Sequence, residues 1–181
     1  QILYLPKKVI KKIYKKVFGG ITKQIKKKTN IYHYKKTIKH YDKVLPILKK
    51  KLDSEGSLRV GFIVVLSSTF TYRPIFFFFL KSNKIFDPYI IVVPDVSRSS
   101  EFREAQFFGA YDELNRKYPG RVIMGWNPET NTHLDINETY SILFFANPYR
   151  RMVNSVYQIR HFWNKNVLML YAYYGFGAVT Y

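Results

Sequence analysis

Five short apolar runs, each too short for an ordinary helix, decide most of what this chain can become. The first, "LRVGFIVVL" at 58–66, is unbroken and rich in β-branched residues; "YIIVV" (89–93), "RVIMG" (121–125), "SILFFA" (141–146) and "VLMLYAY" (167–173) follow. Runs without polar alternation fit strands covered on both faces, as in a parallel sheet. Between them lie stretches of helical character: "PIFFFFLKS" from Pro74, "SEFREAQFFGAYDELNRKY" from Ser100, a short piece around "LDINET", and "RMVNSVYQIRHFW" from Arg151. Strand and helix alternate, and crossovers of this length predict an α/β domain, Rossmann-like, with a mostly parallel sheet. Ser100 is the expected N-cap of its helix, with Glu101 and Glu104 in the first turn where acidic groups favour the helix dipole, and "YPG" at 118–120 ends it. Sheet order does not follow from periodicity.

The first 57 residues have a different texture. They hold 17 lysines against Asp42, Asp53 and Glu55, and no arginine occurs before Arg59. Residues 58–181 are close to balanced, so the net charge of +18 belongs largely to the first third. Val9, Ile10, Ile13, Val17, Ile21 and Ile25 recur at helical spacing, with Lys7, Lys8, Lys11, Lys12, Lys15 and Lys16 on the other side. That pattern predicts a basic amphipathic helix. Gly19 and Gly20 are expected to break or bend it, since each costs about 1 kcal/mol relative to alanine. A second helix is expected through Tyr34, Ile38, Tyr41, Leu45, Leu48 and Leu52, packed on the body by the first five of these and kinked at Pro46. The expected division is a lysine-rich helical segment, 1–57, and an incomplete Rossmann-like domain, 58–181. A start at Gln1 and a stop at "GAVTY" read as a piece of a longer protein.

Several chemistries find no support in the residues. The chain has no cysteine, hence no disulfide, thiolate metal site or cysteine nucleophile. There is no GxSxG elbow and no Walker A loop. "GFGAVT" spaces Gly175 and Gly177 like the first two glycines of a dinucleotide fingerprint, but Thr180 stands at the third position and the motif follows the last strand. His33, His40, His133 and His161 lack the paired spacing of metal ligands. "NET" at 137–139 is a glycosylation acceptor of the kind that arises by chance. No cofactor and no metal is expected, and no apolar run is long enough to span a bilayer.

In open α/β sheets ligands bind beyond the carboxyl ends of the strands. The loops there are "SSTFTYRP" (67–74), "PDVSRSSE" (94–101), "WNPET" (126–130), "NPYRR" (147–151) and "YGFG" (174–177). The first offers hydroxyls and an arginine next to a helix start, suited to a phosphate or a sugar, although an ordinary capped loop has the same composition. Thr69, Tyr72, Arg73, Asn147, Tyr149 and Tyr174 are the expected acceptor-side contacts, with Arg73 as the anion anchor.

Three fragments, "IFDPYIIVVPD" (85–95), "SILFFANPY" (141–149) and "LYAYYGF" (170–176), resemble together the N-terminal half of the CDP-glycerol glycerophosphotransferase-like family. These are bacterial enzymes of teichoic-acid and capsule assembly with a two-domain GT-B glycosyltransferase fold. Phe144, Phe145, Pro148 and Tyr149 match a phenylalanine-rich "FFQQPY"-like turn of that family, and Tyr171, Tyr174 and Gly175 match a "YIPYGY"-like turn. Ala146 and Asn147 stand where the family has glutamines, and Tyr173 where proline is usual. The resemblance covers residues 58–176 and implies an acceptor-side domain. The catalytic residues, and most contacts to a nucleotide-linked donor such as CDP-glycerol, would then lie in a second domain outside this chain.

The expected partners are accordingly a polymer or glycan acceptor, that donor, and an anionic membrane surface reached through Lys7, Lys8, Lys11, Lys12, Lys15 and Lys16. The location would be peripheral, on the inner face of the cell membrane. Lysine without arginine suits diffuse attraction to anionic lipid. The same helix could instead pack its apolar stripe on its own protein. Two other classes compete for the whole chain: a non-catalytic α/β binding domain, and a lysine-rich nucleic-acid-binding module, the latter weakened by the missing arginines and the absence of a known binding motif.

Overall fold

The computed structural model describes residues 7–82, 84–146 and 151–171, and for residues 7–30 and 82 the backbone alone. The chain divides into two compact units, Gln1–Asp42 and Lys43–Tyr181. Helix α1, Lys7–Glu55, includes Gly19, Gly20 and Pro46 as helical residues, so the expected break at the glycine pair is absent. About 1 kcal/mol per glycine is a cost that flanks rich in lysine, a good helix former, can absorb. The helix stops where Gly56 takes φ +73° and donates its N–H to the Leu52 carbonyl at 2.8 Å. A glycine in this left-handed conformation is the common helix terminator.

In the second unit the buried side of α1 is Val44 and Leu48, with Leu52 packed beside them, in steps of four. Leu45, expected at the contact, is exposed, as are Tyr34 and Ile38 in the first unit. From Leu58 the chain builds β1 (Leu58–Val64), α2 (Arg73–Ser82), β2 (Phe86–Val92), α3 (Ser100–Lys117) and β3 (Val122–Met124). A small antiparallel hairpin follows, β4 (Trp126–Asn127) and β5 (Thr132–His133), then β6 (Ile142–Phe145) and β7 (Leu168–Tyr171). The five long-run strands form one parallel sheet in the order β3-β2-β1-β6-β7. The body is thus an α/β domain of Rossmann-like topology.

Strand alternation sends successive side chains to opposite faces, and both faces are covered. Val60, Phe62, Val64, Ile90, Val92 and Phe144 pack with α1, α2 and α3. Ile63, Val65, Ile91, Val93, Leu143 and Phe145 pack on the other side with Tyr157 and Phe162. Phe62 stacks on Phe144 across the β1–β6 pair, with ring centroids 4.5 Å apart, and meets Phe76 of α2 edge-on at 5.4 Å. Helical geometry resolves the four-phenylalanine run: Phe76 is fully buried and Phe79 packs beside it, while Phe77 and Phe78 face out. Lys81, one turn on, lies 4.5 Å from the centre of the Phe77 ring.

Two residues are permitted only by their place in the sheet. A Cβ on Gly61 would lie 2.8 Å from Leu143 and 2.9 Å from Ile91. Pro88, inside β2, pairs with Val60 of β1, whereas pairing with β3 begins only at Ile90. Its missing N–H therefore falls where β2 has a neighbour on one side only.

Two local expectations are corrected. Ser99, not Ser100, occupies the N-cap of α3, and it makes no side-chain cap bond. The segment from Arg151, expected as a helix, forms two short 3-10 turns, Ser155–Tyr157 and Ile159–Phe162. Asn154 and Gln158 hold extended ψ values of 151° and 143°, and the Asn154 side chain accepts from the Val156 N–H at 3.2 Å. These polar side chains bond to nearby backbone and divide the segment into single turns.

Candidate functional site

The sheet order places a topological switch point between β1 and β6: from β1 the chain proceeds to β2 and β3 on one side and later to β6 and β7 on the other. The crevice outside the carboxyl ends at such a point is where open α/β sheets hold ligands. The loop leaving β1 opens with a 3-10 turn, Ser67–Thr69, and runs into α2 at Arg73.

Most polar groups of this loop are engaged internally. Thr69 Oγ1 donates to the Leu66 carbonyl at 3.0 Å. Tyr72 is buried, and its hydroxyl donates to the Phe145 carbonyl at 3.0 Å, tying the loop to the end of β6. Arg73 donates through one terminal nitrogen to the Ser67 carbonyl at 2.8 Å, while its Nε is buried without a partner. Ser67 donates from Oγ to the Glu113 carboxylate of α3, which also takes the Lys117 ammonium at 2.6 Å. Lys117 first, then Ser67, holds the Glu113 carboxyl below the usual carboxylate range. Gln106, a turn or two earlier on α3, donates from Nε2 to the Val65 carbonyl at 2.5 Å.

The next strand end carries a second polar turn, within the expected loop 94–101. Asp95 is buried; one carboxylate oxygen accepts from the Ser97 N–H at 3.0 Å and the other lies 3.4 Å from Arg98 Nε. The Val96 N–H donates to the Met152 carbonyl at 2.9 Å, which anchors this turn to the segment after β6. Arg103 of α3 donates to the Arg98 carbonyl at 3.1 Å and leaves Nε buried without a partner.

Of the expected contacts, then, Thr69 and Arg73 stand in the loop at the switch point, and Tyr72 lies beneath it holding Phe145. Asn147, Tyr149 and Tyr174 lie outside the described residues. Lys7, Lys8, Lys11, Lys12, Lys15 and Lys16 are on helical backbone. Sequence reasoning missed Asp95, Gln106 and Glu113, although "PD" directly after a strand is a signal for a structured turn.

The opposite end of the sheet is held by a separate cluster. Asp87 bridges Arg59, at 3.7 Å, and Arg121, and both guanidinium groups lie over the Tyr89 ring, 5.2 and 5.1 Å from its centre. Nearby, burial pushes the Tyr140 hydroxyl up to about 12. Among the described residues no group of histidines and acids is placed to hold a metal ion, and no helix is long and apolar enough to cross a membrane. No family model, curated protein or solved structure matches the chain significantly.

Proposed function

We propose that this chain is the acceptor-side, N-terminal half of a GT-B transferase of the CDP-glycerol glycerophosphotransferase-like kind, acting in bacterial surface-polymer synthesis. The observation that carries the proposal is where the family-like fragments fall. "SILFFANPY" contains β6 and "LYAYYGF" begins in the last residues of β7, so the two fragments include the carboxyl ends of neighbouring parallel strands. The first is also the strand that faces the loop carrying Thr69 and Arg73 across the switch point. Arg73, with a buried Nε and a second nitrogen fixed on Ser67, is pre-oriented to attract an anionic acceptor group. Donor contacts and catalysis would belong to the second domain.

The lysine-rich helix supplies the location: peripheral attachment to anionic lipid on the inner face of the membrane, each basic group contributing about 1 kcal/mol near the surface. Two measurements on the full-length protein test the proposal. Glycerophosphate transfer from CDP-glycerol should fall in Arg73→Ala through a raised acceptor KM, with calorimetric donor affinity unchanged; absence of binding to any CDP- or UDP-linked donor, or equal loss of donor and acceptor binding, overturns it. Vesicle flotation should show binding to anionic but not zwitterionic liposomes, lost on removal of residues 1–28.

A further inference from the structure

A second strand end builds a concavity of its own, distinct from the loop at the switch point. After β3 the chain turns through Gly125 into the β4–β5 hairpin, which lies beside α3: Phe107 meets Trp126 edge-on, with centroids 5.3 Å apart. Between helix and hairpin is a cleft of about 610 Å³, inside the range of roughly 300–1,000 Å³ common for small-molecule sites. Three of its walls are apolar side chains that remain substantially in water, Phe108, Met124 and Leu134, exposed to 37, 39 and 41%. They converge on one hollow with the buried Trp126 lining it.

The polar part of the lining is selective in sign. Glu129 and Asp135 contribute carboxylates, while among the described residues no lysine or arginine lines the cleft, in a chain with 30 basic and 12 acidic residues. Asn127 spends its side-chain oxygen inside the hairpin turn, accepting from the Glu129 N–H at 3.0 Å, so its amide group presents donors. Asp135 uses one oxygen on the Asn137 N–H at 2.9 Å, leaving the other as an acceptor. His133 also lines the cleft, and its Nδ1 is buried with no partner.

A phosphate or carboxylate would meet two like charges in the lining, while the nearby Arg103 stands outside it and donates to the Arg98 carbonyl. A small cation would use the carboxylates alone and leave the apolar walls and the Asn127 donors without a partner. A pyranose ring satisfies both halves of the lining at once: its C–H face covers apolar side chains, and its hydroxyls donate to carboxylate oxygens and accept from an amide. We propose that the cleft between α3 and the β4–β5 hairpin is a binding site for a neutral sugar ring. The site goes beyond the transferase assignment, because a sugar can be held here whether or not the protein transfers anything.

The test uses tryptophan emission, since the chain has two tryptophans and only Trp126 lines the cleft. In a Trp163→Phe background, glucose, galactose, N-acetylglucosamine and N-acetylmannosamine are titrated beside glycerol 3-phosphate and choline, with saturation-transfer NMR as a second readout. At least one neutral sugar should shift Trp126 emission with a dissociation constant on the order of millimolar and show saturation transfer to its ring protons. The anion and the cation should do neither. Glu129→Gln and Phe108→Ala, both at exposed positions, should each weaken that binding about tenfold with the circular dichroism unchanged. No response to any of the four sugars, preferential binding of glycerol 3-phosphate or choline, or sugar affinity unaltered in both variants overturns the proposal.

Discussion

The buried Tyr157 hydroxyl donates to the Gly125 carbonyl and lies 3.0 Å from that of Leu134, so one 3-10 turn clamps both ends of the β4–β5 hairpin. Gly125 O also receives the Leu134 N–H at 3.0 Å and keeps a partner if the hydroxyl is removed. Tyr157→Phe should therefore cost only about 1 kcal/mol, the net worth of one hydrogen bond, and not the larger cost of an orphaned carbonyl. Urea denaturation measures this, and hydrogen exchange should locate the loosening in residues 125–134.

Gly125 should tolerate no side chain. A methyl group there would sit 2.8 Å from the Val92 carbonyl oxygen, which also accepts the Gly125 N–H, and 2.9 Å from Val93. Backbone cannot step aside as a side-chain tip can, so Gly125→Ala should destabilise by about 1–3 kcal/mol. An unchanged denaturation midpoint would contradict the position of the β3–β4 turn.

The register of α2 can be tested with two neighbouring phenylalanines. Phe76 is fully buried against Phe62, whereas Phe78 is 54% exposed. Phe76→Ala should cost about 3–5 kcal/mol, as large-to-small core changes do. Phe78→Ala, at the surface, should stay within about 0.5 kcal/mol. Thermal unfolding of the pair gives the contrast, and similar losses in both would mean a helix rotated from the one described.

His133 should make the fold less stable in mild acid. Burial first, and the Arg103 charge second, hold its imidazole below the ordinary 6.5. As the pH falls through that ordinary value, the unfolded chain takes up a proton that the folded chain still refuses, so stability drops. Above the ordinary value the residue costs nothing by this route, and below the folded pKa the loss levels off. Comparing melting temperatures between pH 7.5 and pH 5 for the parent and His133→Gln should show a flatter profile in the variant.

The five sheet strands were legible because their apolar runs are nearly pure: apart from Arg59 near its start, "LRVGFIVVL" is buried throughout β1, and "SILFFA" is buried along its whole length. The 151–163 segment was not, because Met152, Val153, Val156, Ile159 and Phe162 carry helical spacing while Asn154 and Gln158 redirect the backbone. Periodicity records which side chains are apolar and is blind to an amide side chain that bonds nearby backbone. The hairpin escaped for a related reason. Its turn depends on Asn127 accepting two backbone N–H groups and on Asn131 at φ +50°, whose side chain takes the Trp126 indole N–H at 3.1 Å. The signal was present as the Asn-Pro pair and a later asparagine, but two-residue strands carry no run to notice. At the switch point, residue types singled out the loop that leaves β1, yet only the three-dimensional structure could show Tyr72 buried beneath it and Glu113 reaching in from α3.

Placing β1 at the centre of the sheet has a consequence for how the protein is made. Its two neighbours differ sharply in when they become available: β2 follows directly, but β6 pairs Ile142 with Val60, across most of the domain. At a synthesis rate of roughly 5–20 residues per second, the roughly 80 intervening residues leave β1 with one open edge for on the order of 4–16 s. During that interval the nascent chain displays an apolar, unpaired strand edge, the feature that invites pairing with the wrong partner. Expression yield should therefore respond to translation speed and chaperone supply more than the stability of the finished domain would indicate.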